Sequence, residues 1–177
     1  MIVMKFGGSS VANAERIKHV ASIIKAYKEK KPVVVLSAMG DTTDHLLEAA
    51  DQAVKGIVDV EGVAKLHKET AELLDVNIET IQDLLKELNQ LLTGISMLKE
   101  ISKRSRDYLV SFGERMSVRM MAAYLTKEGI PAKFYDAWDI GILSDSNYMA
   151  AELLDSVWGD IPKYLTGYKN GTDVEIP

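Results

Sequence analysis

Two apolar runs with an amphipathic stretch between them constrain this chain more than any other feature. Met1-Ile2-Val3-Met4 opens it, and Val33-Val34-Val35-Leu36 is an unbroken β-branched and aliphatic run, the pattern of a strand buried on both faces. Between them Ile17, Val20, Ala21, Ile24 and Tyr27 recur at helical spacing behind Asn13, a residue suited to cap the helix. Lys28-Glu29-Lys30-Lys31-Pro32 ends that helix. Strand, loop, helix and strand within about 35 residues predict a βαβ unit with a parallel, right-handed crossover.

The first turn of that unit reads Lys5-Phe6-Gly7-Gly8-Ser9-Ser10-Val11. Glycines bare the main chain, so an anion can approach its N–H donors closely. A following helix N-terminus would add further N–H groups and the positive end of a dipole. Lys5 supplies a point charge for oxygens that gain charge during phosphoryl transfer. The lysine precedes the glycines, so this is not a Walker A loop. A tight strand-to-helix turn that happens to begin with lysine fits the same residues. A second loop, Ser37-Ala38-Met39-Gly40-Asp41-Thr42-Thr43, leaves the C-terminal end of the next strand. Open α/β sheets bind ligands at that edge, and both loops face it.

From about Asp44 to about Glu100 the pattern is helical, an excursion between strands. Ile81, Leu84, Leu85, Leu88, Leu91, Leu92, Ile95 and Leu98 are spaced by threes and fours, a stripe for helix packing. Ser111-Phe112-Gly113-Glu114-Arg115 then precedes an apolar helical stretch. Ser111 and Glu114 have capping-box spacing, so a helix start competes with a substrate-facing carboxylate as their meaning. Ala132-Lys133-Phe134-Tyr135 and Ile140-Gly141-Ile142-Leu143 read as further strands, with a helix from about Ala150 to Tyr164. Asn170-Gly171 reads as a turn, and Asp173-Val174-Glu175-Ile176-Pro177 as the approach to another strand.

Composition narrows the function. In 177 residues, 21 Lys and Arg stand against 26 Asp and Glu, and the net charge of -5 argues against nucleic acid as a partner. With 0 cysteines there is no disulfide framework and no thiolate metal site. His19, His45 and His67 lack metal-ligand spacing, so no metal site is expected on the protein. No apolar run approaches the roughly 18 residues of a membrane span. The start of the chain is too short and interrupted for a signal-peptide core, so a cytoplasmic location is expected.

Taken in order, Lys5 to Val11, Ser37-Ala38-Met39, Thr43, Ser111 to Arg115, Asp136-Ala137 and Ser144-Asp145 resemble the N-terminal part of the aspartokinase catalytic domain, in the amino-acid kinase family. The likeness runs the length of the chain. It implies an α/β, three-layer sandwich with a mostly parallel sheet, of which residues 1–177 form an N-terminal lobe with the C-terminal half incomplete. It implies ATP-dependent phosphorylation of the β-carboxylate of L-aspartate, at the entry to lysine, threonine and methionine synthesis. A β-carboxylate is already ionised at neutral pH, with an ordinary pKa near 3.9, so the site must supply alignment and charge neutralisation rather than a base.

By this resemblance Lys5 neutralises the transferred group, Gly7 and Gly8 offer N–H donors, and Ser9 lines the pocket. Ser37 and Ala38 form its other wall, while Thr43 and Glu114 hold aspartate, Glu114 through the α-ammonium. Mg2+ would arrive with the nucleotide. Two departures stand out. Asp145-Ser146-Asn147-Tyr148-Met149 lacks the glycine of the family's Asp-x-x-Phe-Gly, and no Gly-Arg-Gly-Gly-Ser-Asp loop follows. The lobe alone is therefore expected to be a poor kinase, with an exposed sheet edge through which a homodimer would form. An amino-acid kinase for glutamate, N-acetylglutamate, carbamate or a nucleotide is the neighbouring alternative. A non-catalytic lobe needing a second half is the alternative of a different class.

Overall fold

The parallel pair expected near the N-terminus is present: β1 (Ile2–Phe6) runs beside β2 (Pro32–Leu36), with Ile2 opposite Pro32 and Phe6 opposite Leu36. The structure, a computed structural model, describes residues 2–165 together with the backbone of Tyr168–Lys169 and Thr172–Asp173. The chain forms two compact units, Met1–Ala132 and Lys133–Pro177.

In the first unit, α1 (Ala14–Ala26) makes the crossover. Asn13 caps it, its side-chain oxygen accepting the Arg16 N–H at 3.0 Å. A 3-10 turn at Lys28–Lys30 and a left-handed Lys31 then swing the chain into β2. The sheet is covered on one face. Met4, Phe6, Val34 and Leu36 pack against the core, whereas Val3 and Val35 are 65% and 44% exposed. This corrects the expectation that β2 is buried on both faces: alternate residues of a strand point to opposite sides, and the helices cover the even-numbered one.

Four helices follow: α2 (Thr42–Val54), α3 (Glu61–Leu74), α4 (Glu79–Leu98) and α5 (Lys103–Lys127). α2, α4 and α5 pack on one another, and α3 lies against α1 and α2. The leucine stripe of α4 is their seam, with Ile81, Leu84, Leu85, Leu88, Leu92 and Ile95 buried. Leu91 is only half-buried and Leu98 is 74% exposed, because the helix ends at a left-handed Lys99 beyond the packed region. On α3, His67 is fully buried and bonds through Nδ1 to the Val63 carbonyl at 2.8 Å. Burial, the largest influence, holds its pKa below the ordinary histidine value, and nearby His45 acts the same way. Among the described residues no helix is long and apolar enough to cross a membrane.

α5 revises the reading of Ser111 and Glu114. It is one helix of 25 residues whose true cap is Ser102, which takes the Ser105 N–H at 3.0 Å. Ser111 lies mid-helix and its hydroxyl donates back to the Tyr108 carbonyl at 2.7 Å.

The second unit departs further from expectation. Neither Ala132–Tyr135 nor Ile140–Leu143 forms a strand; Asp136 and Asp139 cap each other around a 3-10 turn at Ala137–Ile140 instead. Ser144 makes an isolated antiparallel bridge with Leu153. The last helix, α6 (Val157–Leu165), begins later than Ala150 because Asp145 and Glu152 fold the intervening residues into a turn. Met149 stands in that turn with a left-handed φ of 73°, at the position where the resemblance calls for glycine. β3 (Tyr168–Lys169) and β4 (Thr172–Asp173) pair antiparallel. The Asn170-Gly171 turn and residues 174–177 lie outside the described residues.

Candidate active site at the loop edge of the sheet

Parallel pairing sends the loops after β1 and β2 out of the same edge, and hydrogen bonds tie them together. Ser37 N–H donates to the Phe6 carbonyl at 3.1 Å, and Gly40 N–H donates to the Gly8 carbonyl at 3.3 Å. The first loop closes as a 3-10 turn, Gly8–Ser10, with Ser10 N–H donating to the Gly7 carbonyl at 2.9 Å. α1 begins at Ala14 behind its own cap, Asn13, so the residues between Ser10 and Ala14 separate it from the glycine turn. The uncapped helix N-terminus near the loops belongs to α2, where Asp41 makes no side-chain cap. First-turn N–H groups of a helix have no carbonyl of their own helix to bond, and Thr43 sits there, half-buried.

Gly8 is required by close approach: a Cβ there would lie 2.9 Å from the Ala38 carbonyl oxygen. Gly7 is different. A Cβ on it would meet nothing within 4 Å, and its backbone is extended, so neither packing nor conformation demands glycine. Open space over a bare main chain leaves room for something that is not protein.

Ala38 is 3% exposed and stands between the glycine turn and α5. Its N–H donates to Glu114 Oε1 at 3.3 Å, across 76 residues of sequence. Glu114 is nonetheless exposed, leaving its carboxylate open to a ligand at the loops. Gly113, the preceding residue, is buried against Ala38, Thr42 and Leu46. Thr42, also buried, turns its hydroxyl to the Met39 carbonyl and stiffens the second loop.

Of the predicted site residues, the structure brings Ala38 against both Gly8 and Glu114, with Ser37 and Thr43 on the same loop and helix start. Lys5 is exposed on the open face of β1 and Ser9 is exposed in the turn. Among the described residues neither side chain bonds another group of this chain. Both lie at this edge, and Lys5 forms no ion pair among the described residues.

Sequence reasoning missed the support beneath Glu114. Arg115 has a side chain 11% exposed; it pairs with Glu87 on α4 at 3.3 Å and lies over the Phe112 ring at 4.8 Å. The Tyr108 hydroxyl donates to the same Glu87, and this hydrogen bond, which holds the proton on the phenol, is the main reason its pKa is raised. This cluster ties α4 to the turn of α5 that carries Glu114. The Phe112, Met116, Met120 spacing on the face opposite was a signal that the helix runs straight through Ser111.

The chain matches the model of the Amino acid kinase family over residues 1–170. It is 47% identical over 172 residues to aspartokinase 2, chloroplastic, of Arabidopsis thaliana, covering 93% of this chain and 32% of that protein. It is 48% identical to aspartokinase 3, chloroplastic, of the same plant, covering 93% of this chain and 31% of that protein. The chain thus spans about a third of the length of the curated relatives it matches. Escherichia coli aspartokinase III, solved with aspartate and ADP in its R-state, superposes with a TM-score of 0.74 at 22% identity. That superposition covers 91% of this chain and 36% of the other, and it shows a shared fold. A match of the family model along nearly the whole chain, on this βαβ unit and its two loops, places the protein in the amino acid kinase family.

Proposed function

We propose that this chain forms the acceptor side of an aspartate kinase site, which transfers the γ-phosphoryl group of ATP to the β-carboxylate of L-aspartate. The observation that carries the reading is Glu114: an exposed carboxylate oriented by the Ala38 N–H, beside a glycine turn with open space over Gly7. Relatives named aspartokinases at 47% and 48% identity support it, as does a structural neighbour solved with aspartate and ADP. In this reading Glu114 and the start of α2 at Thr43 hold the ammonium and carboxylate of aspartate, with Ser37 and Ala38 as the wall. Gly7, Gly8 and Ser9 receive phosphate oxygens, and Lys5 neutralises charge on the group in transfer. The substrate carboxylate is already a nucleophile, so alignment is the main task.

Magnesium would come bound to the nucleotide phosphates and share the task of neutralisation with Lys5. A cytoplasmic location belongs to the same proposal, although the Arabidopsis relatives are named chloroplastic. Self-association through the open edge of the β1–β2 sheet is a further part of it, tested by light scattering: mass rising with concentration supports it, and a fixed monomer mass rejects it.

The test of function is coupled ADP release with MgATP and L-aspartate, comparing the wild-type chain with Lys5→Ala. Aspartate-dependent release that disappears in Lys5→Ala supports the assignment. Release that ignores aspartate, or that survives the substitution, overturns it. If the folded chain shows no release, the kinase activity belongs to a longer protein, and L-aspartate binding measured by calorimetry then decides the acceptor role.

A further inference from the structure

We infer that Gly113 is a positioning residue: its missing side chain seats α5 against Ala38 and thereby aims the Glu114 carboxylate at the glycine turn. The inference deepens the reading of Glu114 as the aspartate anchor and rests on it. A glycine inside a helix is unfavourable relative to alanine, and Gly113 sits mid-way along α5 with an ordinary helical backbone. Conformation therefore does not ask for glycine. Contact does: a Cβ at this position would lie 2.6 Å from the Ala38 Cβ, 3.5 Å from Thr42 Cγ2 and 3.6 Å from Leu46 Cδ1.

The collision has no easy relief. A Cβ is fixed to the main chain, so no rotamer of Ala38 moves it away. Ala38 is itself tied on both sides: its N–H bonds Glu114, and its carbonyl oxygen approaches the Gly8 main chain so closely that a Cβ there would stand 2.9 Å away. Ala38 is thus held between two missing side chains, one on the phosphate-binding turn and one on the helix bearing Glu114. Its N–H bonds the residue next to Gly113. An α5 pushed outward would take the Glu114 carboxylate with it, lengthening the Ala38 bond and the reach to a ligand at the turn. Gly94, inside α4, is the contrast: a Cβ there meets nothing within 4 Å.

Three variants of the full chain test this. Gly94→Ala is the control for helix propensity, Gly113→Ala adds the methyl, and Ala38→Gly with Gly113→Ala moves the methyl from one side of the contact to the other. The readout is the amide proton shift of residue 38 by NMR as the Glu114 carboxylate protonates, with Glu114→Gln identifying that response. The expected result is a clear response in wild type and Gly94→Ala, at least a halving in Gly113→Ala, and recovery in the double variant. L-Aspartate binding should weaken at least tenfold in Gly113→Ala and recover in the double variant. A full residue 38 response in Gly113→Ala, or none in the double variant, would overturn the inference. Should Gly113→Ala alone not fold, the double variant still decides, because it lacks the colliding methyl. A residue 38 response that behaves as expected, in a wild type that binds no aspartate, would count against the functional reading and leave the positioning role intact.

Discussion

Replacing Glu114 by glutamine isolates the charge that the proposed function needs. Glutamine keeps the length of the side chain and its acceptor oxygen, so the Ala38 N–H, donated at 3.3 Å, retains a partner. Only the negative charge is lost. Two unit charges about 4 Å apart attract by about 1 kcal/mol in bulk water and about 4 kcal/mol at an effective dielectric constant near 20. Glu114 is exposed but braced against a buried loop, which places it between those limits. About 2 kcal/mol, within the range for hydrogen bonds to charged groups, corresponds to roughly 30-fold weaker binding of L-aspartate. Folding stability should change by less than about 0.5 kcal/mol, as for an exposed position with its hydrogen bond kept. The assay is calorimetric titration of both proteins with L-aspartate and with N-acetyl-L-aspartate, which has no ammonium. The acetylated ligand, whatever its affinity, should bind the two proteins within about threefold of one another. An equal loss for both ligands, or no loss for L-aspartate, would refute the reasoning.

Other expectations follow from packing and ionisation. Leu88→Ala should destabilise by about 3–5 kcal/mol in urea unfolding, because Leu88 is fully buried in the α4 seam. Leu98→Ala, at a residue 74% exposed, should fall below about 1 kcal/mol, and equal effects would contradict the packing described. His67 has a folded pKa below its unfolded value, so its contribution is complete above pH of about 6.5 and is lost as pH falls through the folded pKa. Urea midpoints should therefore drop between pH 7.5 and 5.5 by more in wild type than in His67→Gln; an identical drop would remove His67 from the account. Met149→Gly should raise stability by about 0.5–1 kcal/mol, since it relieves a left-handed methionine at φ 73° while adding freedom to the unfolded chain. A lower melting temperature for Met149→Gly would show that the methionine side chain matters more than its backbone.

The legible parts of this fold are those set by nearby residues. Asn13 and the 3.6-residue recurrence from Ile17 to Ile24 specify α1 locally, and the crossover follows from two strands on either side of it. The tight turn after β1 was legible for the same reason, from its paired glycines. Which face of β2 is covered was not legible, because Val35 is as apolar as Val34 and only the placement of the helices separates them. Ala132–Tyr135 has strand-like composition, yet a strand exists only with a ladder partner, and the chain there turns into a 3-10 segment held by Asp136 and Asp139.

Ser111 and Glu114 show how one spacing carries two meanings. The capping-box pattern is present, but Leu109, Phe112, Met116 and Met120 are all buried along one continuous helical face, so the helix passes through it. Glu114 consequently projects from the middle of a rigid helix rather than from a frayed start. Its contact with Ala38 is non-local, and no local pattern could have revealed that Gly113 makes room for it.

The most direct test of the central claim, that the two loops and α5 build one acceptor site, is an amide chemical-shift map of the chain titrated with L-aspartate. Shifts should concentrate at Gly7, Gly8, Ser37, Ala38, Thr43 and Glu114. Shifts that leave these amides unmoved and gather elsewhere, or a spectrum that does not respond to aspartate at all, would contradict it.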